Sequence, residues 1–245
     1  MINFIKQQYG FYKLKRDFWK DFNSLIESQM KTSKRLLIDK NDILPCLWDN
    51  TSDTDFDHHY VLHTAWASRK ISELKPSKHI DISSSLFFCT SLSAFLPVEF
   101  YDYRPADINL SNLHMGPADL TQLHFESESI ESLSCLHTVE HIGLGRYGDP
   151  IDYDGDLKAI NELKRVVAKG GSILFVVPVG KPKIIFNAHR IYSYEQIVNY
   201  FEGFVLKEFS LITDDNQGGQ LIVNASKELS DKQNYGCGCF MLKKQ

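Results

Sequence analysis

Long apolar runs are missing from this chain of 245 residues, and no stretch approaches the roughly 18 residues needed to span a bilayer. The opening residues, MINFIKQQYGFYKLKR, lack an unbroken apolar segment, so no signal peptide is expected. Cysteine is sparse and unpaired in pattern: there are five (46, 89, 135, 237, 239), an odd number with no framework spacing. Cys89 and Cys135 sit inside apolar runs, where a thiol behaves as a small hydrophobe. A reducing compartment follows, with the cytoplasm as the expected location. No G-x-x-x-x-G-K-[ST] occurs, and no G-x-S-x-G, so P-loop nucleotide hydrolysis and serine-hydrolase chemistry find no support. Excess basic charge is lacking too. The 27 Lys and Arg face 31 Asp and Glu, and a net charge of −4 gives no reason to expect nucleic acid as a partner.

What remains is the composition of an ordinary globular protein. Apolar residues at 43% and charged residues at 24% exclude a disordered chain and a collagen-like fibre. The charge is unevenly spread: residues 1–40 hold nine Lys/Arg against four Asp/Glu, a net of +5, which leaves −9 for the remainder. Phe11, Leu14, Phe18, Phe22, Leu25 and Ile26 recur at steps of three and four, the spacing of an amphipathic helix with Lys13, Lys15, Arg16 and Lys20 off the stripe. Such a helix packs on a body, or rests on a membrane surface or a partner. Residues 49–57 are polar and turn-rich, residues 60–74 resume helical spacing, and Pro76 marks a boundary. The expected division is a helical extension over 1–75 and one domain over 76–245.

From residue 77 short apolar runs alternate with helical segments. HIDIS (79–83), PVEFYDY (97–103), a weak NLHMG (112–116), SLSCLH (132–137) and SILFVVPV (172–179) have strand character; LKAINELKRVVAKGG (157–171) and YSYEQIVNYF (192–201) have helical character. FVLKEFSLI (204–212) and CGCFMLKK (237–244) follow with only a loop between them. This order predicts a doubly wound α/β domain with a mostly parallel sheet and an antiparallel edge.

Ligands of such sheets bind beyond the carboxyl ends of the strands. Asp81 ends the first strand, Asp102 the second, and Asp119 follows the third; His137, Glu140 and His141 follow the fourth. Three acids in those places could ring a nucleoside, one near its cationic part, one on ribose hydroxyls and one on the adenine amino group. Acids there also cap the helix that follows.

The order of these elements resembles a class I S-adenosylmethionine-dependent methyltransferase. Asp119–Phe125, Ser129–Leu133 and Glu140-His141 are similar to the stretch from the adenine-contacting acid to the Glu-His after strand four, and Glu162–Gly171 to the helix and Gly-Gly turn before strand five. SLSCLHTVEHIGLGRYGDPIDYDGD (132–156) and PVGKPKIIFNAHRIYS (178–193) resemble, more narrowly, an uncharacterised family of methyltransferase-like proteins described only as a domain of unknown function. The resemblance spans about residues 77–245. It implies a seven-stranded Rossmann-like sheet and S-adenosylmethionine as cofactor. Asp81, Asp102 and Asp119 become the cofactor acids, and Leu120 and Cys135 line the adenine. The superfamily carries glycines after the first acid, whereas Asp81 here is followed by Ile82-Ser83-Ser84-Ser85-Leu86-Phe87-Phe88. Ser83 and Ser85 can donate hydrogen bonds, but serine does not adopt φ > 0 as cheaply as glycine. That sets the composition of this loop against cofactor binding.

Three further motifs surround the expected site. Gly143-Leu-Gly145-Arg-Tyr-Gly148 has the letters of a dinucleotide fingerprint but lies beyond Glu140-His141-Ile142 and is followed by turn residues, so it reads as a rigid loop with Arg146 and Asp149 offering charge. His137-Thr-Val-Glu140-His141 is H-x-x-E-H, which needs a helix to bind zinc in a protease and here begins at a strand end. It can supply an imidazole base, a structural histidine, or a metal site of the kind that metal-dependent class I methyltransferases place at Glu-x-x-Glu-His; no metal ligands are assigned. Asn187, His189 and Arg190 follow the fifth strand and suit a polar or anionic acceptor, or anchor a loop. Cys237-Gly-Cys239 needs two further ligands to hold a metal and is expected at the start of the last strand.

The expected function is methyl transfer to the hydroxyl of a small polar acceptor such as a sugar or glycan. His141 or His137 is the base, Glu140 orients a histidine, and Arg146, Asn187, His189 and Arg190 hold the acceptor. The rival expectations are a methyltransferase-shaped binding or scaffold protein without cofactor affinity, marked by Phe87 or Phe88 filling the space below Asp102, and a metal-dependent enzyme at His137, Glu140 and His141.

Overall fold

The computed structural model describes residues 2–31, 35–214 and 219–245, with side chains from residue 9 onward. It divides into two compact units, Met1–Asp55 and Phe56–Gln245. The first unit is built on helix α1, Ile2–Met30. Its apolar stripe is only half realised: Leu14, Phe18, Phe22 and Ile26 are partly buried, Phe11 and Leu25 are exposed, and no described side chain of this unit is fully buried. Phe11 stacks on Trp48 with ring centroids 6.5 Å apart, and Trp19 meets Phe18 and Phe22 edge-on.

The second unit opens with α2, His58–Leu74, whose first turn is closed by the Asp57 side chain accepting from the Tyr60 amide. Lys75 then takes a left-handed conformation and ends the helix before Pro76. The elements that follow are β1 His79–Ile82, α3 Leu86–Leu92, β2 Val98–Asp102, β3 Leu113–Pro117, β4 Ile130–Leu136, α4 Gly155–Val166 and β5 Val167–Val179. After them come β6 Lys183–Ile185, β7 His189–Ile191, α5 Tyr194–Tyr200, β8 Phe204–Ile212, β9 Leu221–Val223, α6 Lys227–Asp231 and β10 Gly236–Lys244. Helix α2 therefore belongs with the sheet and not with the N-terminal unit. Its buried face (His63, Trp66, Ala67, Ile71) packs toward β8 and β10, and the Trp66 Nε1–H donates to Glu208 at 2.8 Å.

The large sheet has the order β3-β2-β1-β4-β5-β10-β8-β9. Strands β3, β2, β1, β4 and β5 are mutually parallel, and β10 runs antiparallel between β5 and β8. It is a mostly parallel α/β sheet with the expected antiparallel edge. It has eight strands, not seven, because three residues of β9 add on β8. A separate two-stranded hairpin, β6–β7, was also not foreseen.

Both faces of the sheet are covered, so β4 and β5 are buried at nearly every position. On one face Ile160 and Leu163 of α4 and Ile197 of α5 pack against Leu133, Phe175 and Phe240. On the other, Trp66 and Ile71 of α2 and Phe88 and Leu92 of α3 pack against Phe100, Leu174 and Val176. The chain winds one way from β1 to β2 and β3 and the other way to β4 and β5. The crevice at such a reversal lies beyond the carboxyl ends of β1 and β4.

Candidate functional site

A cavity of about 370 Å³ occupies that crevice. One wall comes from Ser83 and Ser84 after β1, Asp102 at the end of β2, and Asp119 and Leu120 after β3; the other comes from His137 and His141 after β4 and the loop through Asp149 and Asp152.

Ser83 takes the backbone conformation expected of the missing glycine. It adopts φ 58°, the conformation a glycine would otherwise supply. That costs a non-glycine residue roughly 1–2 kcal/mol. The cost is offset locally, because the Ser83 amide and Oγ both donate to the Tyr101 carbonyl (2.8 and 3.3 Å), and Thr138 Oγ1 donates to the Ser83 carbonyl at 2.9 Å.

The remaining acids differ in use. Asp102 Oδ1 accepts from the Arg104 amide at 2.7 Å. Asp119 Oδ1 accepts from the Thr121 amide and hydroxyl at 2.8 and 2.6 Å. Each carboxylate is fixed through one oxygen, and its other oxygen has no hydrogen bond among the described residues. Glu162 and Arg165 of α4 hold the segment after Asp119, bonding the Leu123 amide and the Leu123 and Phe125 carbonyls. Asp81 does not line the cavity. It is wholly buried below it, accepting from the Ser84 amide at 3.0 Å and from Ser134 Oγ. Burial pushes its carboxyl up to about 6. Cys135 also faces the core, in the sheet interior, and Ser85 precedes α3 without lining the cavity; Ser84 stands there instead.

His137, Glu140 and His141 converge. His137 follows β4 with φ 57°, and residues 139–141 form one 3₁₀ turn. His137 Nδ1 meets Glu140 Oε1 at 2.7 Å, and His141 Nε2 lies 3.8 Å from the same oxygen. Burial alone would lift the Glu140 carboxyl; His137 and His141 overcome this and hold it below its ordinary value. His141 Nδ1–H donates to the Ala188 carbonyl at 2.6 Å, which leaves Nε2 as the basic nitrogen. The other face of His137 meets Cys237 Sγ at 3.2 Å.

The residues expected to hold an acceptor are mostly spent on the loop itself. Arg190 is buried and donates to the carbonyls of Ile142 (2.6 Å), Asp152 (3.3 Å), Tyr153 (3.0 Å) and Glu140 (3.5 Å), with Asp156 at 3.5 Å from Nε. It fastens residues 142–153 to β7 and has no donor left for a substrate. Asp149 lines the cavity, yet its carboxylate accepts from the Gly143, Gly145 and Tyr147 amides. Gly143, Gly145 and Gly148 all have positive φ, and a Cβ on Gly143 would collide with the Asp152 carbonyl, so the glycine spacing shapes this turn. Arg146 donates to the Ala188 carbonyl at 3.2 Å and stacks over Tyr147. Asn187 is exposed on the β6–β7 turn, and His189 packs on Tyr235 at 4.7 Å; neither lines the cavity.

Sequence reasoning passed over several lining residues. Tyr60 comes from α2, Tyr103 and Arg104 follow β2, and Tyr147 tips the glycine loop, with Arg104 5.0 Å from its ring centroid. The run His58-His59-Tyr60 at a helix start was the available signal for α2. Neither phenylalanine of α3 fills the cavity. Phe87 is 87% exposed, and Phe88 is buried in the cluster around Trp66.

Comparison with solved structures agrees with this topology. The YcgJ protein of Bacillus subtilis is 10% identical, with a TM-score of 0.53 over 76% of this chain and 99% of its own. The N-methyltransferase NodS of Bradyrhizobium japonicum, solved with S-adenosyl-L-homocysteine, is 14% identical, with a TM-score of 0.52 over 82% of this chain and 91% of its own. At these identities the likeness is one of fold. Among curated proteins none matches this sequence. No helix among the described residues is long and apolar enough to cross a membrane. A family model described as "Caenorhabditis protein of unknown function, DUF268" matches residues 108–244. That span is more than half of the chain and includes Asp119, the histidine cluster and the glycine loop, so the chain belongs to the DUF268 family.

Proposed function

We propose that the cavity binds S-adenosylmethionine and supports methyl transfer to a hydroxyl of a small polar acceptor of the sugar or glycan class. One observation carries this reading: Asp102 and Asp119, at successive strand ends, each keep a carboxylate oxygen for a ligand in the cavity that His141 lines.

The residues fit the cofactor. In this reading Asp102 holds the ribose hydroxyls, Asp119 the adenine amino group, and Leu120 packs on the adenine face; that all three line the cavity supports it. The Ser83–Ser84 turn brings backbone close to the ligand as a glycine turn would. When bound, the cofactor supplies a methyl group already activated on a sulfonium, so the protein's task is alignment and proton removal. His141 Nε2 takes the acceptor's hydroxyl proton, and Glu140, 3.8 Å away, stabilises the imidazolium. Tyr60 and the ring of Tyr147, flanked by Arg104 and Arg146, offer hydrogen bonding and stacking to a sugar-class acceptor. The binding-protein alternative loses its expected marker, because Phe87 and Phe88 leave the cavity open.

Calorimetric titration with S-adenosylhomocysteine tests the reading. One site per chain is expected, weakened at least roughly tenfold by Asp102→Ala, about the loss of one charged hydrogen bond, and retained by His141→Gln. A well-folded wild type that gives no binding heat overturns it.

A further inference from the structure

Behind the cavity wall the structure gathers a second set of side chains that the proposed methyl transfer does not use. His59 and His63 stand one turn apart on α2, and both rings face the ring of His137, at centroid distances of 5.4 and 5.1 Å. Cys237, the second residue of β10, completes the group. One ligand atom from each of His59, His137 and Cys237 lies within 4.8 Å of the other two. The His137 Nε2 to Cys237 Sγ distance is 3.2 Å, and Cys239 Sγ is 4.0 Å from Cys237 Sγ. A tetrahedral centre with metal–nitrogen and metal–sulfur bonds of about 2.0–2.3 Å has ligand–ligand edges of roughly 3.3–3.8 Å. The His137–Cys237 pair is at about that spacing, hydrogen-bonded and not covalently joined, and His59 brings its donor within 4.8 Å of both; all five cysteines are free.

Two independent observations point to a ligand. His63 is wholly buried, and neither of its ring nitrogens has a hydrogen-bond partner. Two orphaned polar atoms in a protein interior are an unfavourable arrangement that a binding event would relieve. The second is the carboxylate behind His137. With Glu140 ionised, the His137 Nδ1–H donates to Glu140 Oε1 at 2.7 Å, which fixes the tautomer and leaves Nε2 as the acceptor facing the Cys237 thiol. Metal-ligating histidines are oriented by a carboxylate in this way. Glu140 Oε2 is itself buried without a hydrogen-bond partner among the described residues.

We propose that His59, His137 and Cys237 form a zinc site, with the fourth position filled by water or, after a change of its side-chain rotamer, by His63, whose ring stands 5.1 Å from that of His137. Imidazole and thiolate select a borderline-soft transition ion over magnesium or calcium. On binding, the Cys237 thiol gives up its proton to solvent, and one thiolate and the Glu140 carboxylate balance the two charges of the ion. The site ties α2 to the ends of β4 and β10 and so fixes the wall that carries Tyr60 into the cavity. It shares only His137 with the expected H-x-x-E-H metal site, because Glu140 acts behind His137 and His141 Nδ1 is bonded to the Ala188 carbonyl. It is also independent of whether the cavity takes S-adenosylmethionine.

The test uses untagged full-length protein, stripped of metal, titrated with Zn²⁺ and with Co²⁺ as a spectroscopic probe. One equivalent of Co²⁺ should give intense tetrahedral d–d bands and a thiolate-to-cobalt band in the near ultraviolet. Cys237→Ser should abolish the near-ultraviolet band, while Cys239→Ser keeps it. His59→Ala, at a half-buried position, should weaken Zn²⁺ binding at least tenfold. Wild-type protein that takes up no stoichiometric Zn²⁺ or Co²⁺ overturns the proposal, and this outcome does not depend on any variant folding. Unchanged affinity in His59→Ala, or a thiolate band that survives Cys237→Ser, overturns it equally.

Discussion

Asp81→Asn should stabilise this protein at neutral pH and leave it unchanged in acid. Asp81 is wholly buried with no cation beside it, and burial pushes its carboxyl up to about 6. In the unfolded chain it titrates near 3.9. Between these values the folded state binds more protons than the unfolded state, so stability falls as pH rises through that window. A shift of about two units corresponds to about 3 kcal/mol lost once both states are ionised. Asparagine removes that cost and preserves the network. Its Oδ1 accepts from the Ser84 amide, and its amide donates to Ser134 Oγ. Ser134 then donates to His79 Nε2, 2.8 Å away, and His79 Nδ1–H to Ser132 Oγ at 2.8 Å. Burial drives His79 down to about 3, so its ring is neutral and free to switch tautomer. The assay is urea unfolding of wild type and variant from pH 4 to 8. The difference in stability should be near zero at pH 4 and rise to about 3 kcal/mol in favour of Asn by pH 7. A variant less stable than wild type at every pH, or a difference that does not change across the window, refutes the reasoning.

Three other expectations concern the loop and its cofactor wall. Arg190→Ala removes the bonds to three loop carbonyls and leaves buried Asp156 without its cation; a loss of about 3–5 kcal/mol, or roughly 10 °C in melting temperature, is expected by calorimetry. An unchanged melt would show that Arg190 is not a structural fastener. Gly143→Ala should cost about 2 kcal/mol or more, because its Cβ meets the Asp152 carbonyl, whereas Gly148→Ala has open space and should cost about 1 kcal/mol from φ alone. Equal losses in chemical denaturation would contradict the loop geometry. Ser83→Gly should leave stability within about 1 kcal/mol, since the left-handed strain it relieves is exchanged for the lost Oγ bond, and cofactor titration should be unaffected; a large loss of folding would show that the hydroxyl holds the turn.

The parallel sheet was legible because apolar runs and helical spacing alternate, and the positions of β1, β2, β4, β8 and β10 follow from that pattern. Strands β6, β7 and β9 were not, since three residues each carry too little periodicity to register. Val166-Val167 continues the apolar spacing of α4, so the chain was read as helix to Gly171, whereas β5 begins at Val167. The acids at strand ends were found, but not which way they point. β1 is buried on both faces, so no alternation of polar and apolar residues distinguishes the inward Asp81 from the cavity-facing Asp102. The charges of the glycine loop were read as offered to a ligand because charged loops at the ligand face of such a sheet often carry function. Their partners are backbone amides and carbonyls, which a sequence does not display. Tyr60 and the histidines of α2 were hidden by distance along the chain, nearly 80 residues before His137, and only the packing of α2 on β10 brings them together.

The most direct test of the central claim is a crystal structure determined in saturating S-adenosylhomocysteine. The adenosyl group should lie in the cavity beyond β1, β2 and β4, with ribose hydroxyls on Asp102, adenine between Asp119 and Leu120, and the sulfur directed toward His141. An empty cavity under those conditions, or a ligand bound elsewhere, would contradict the account.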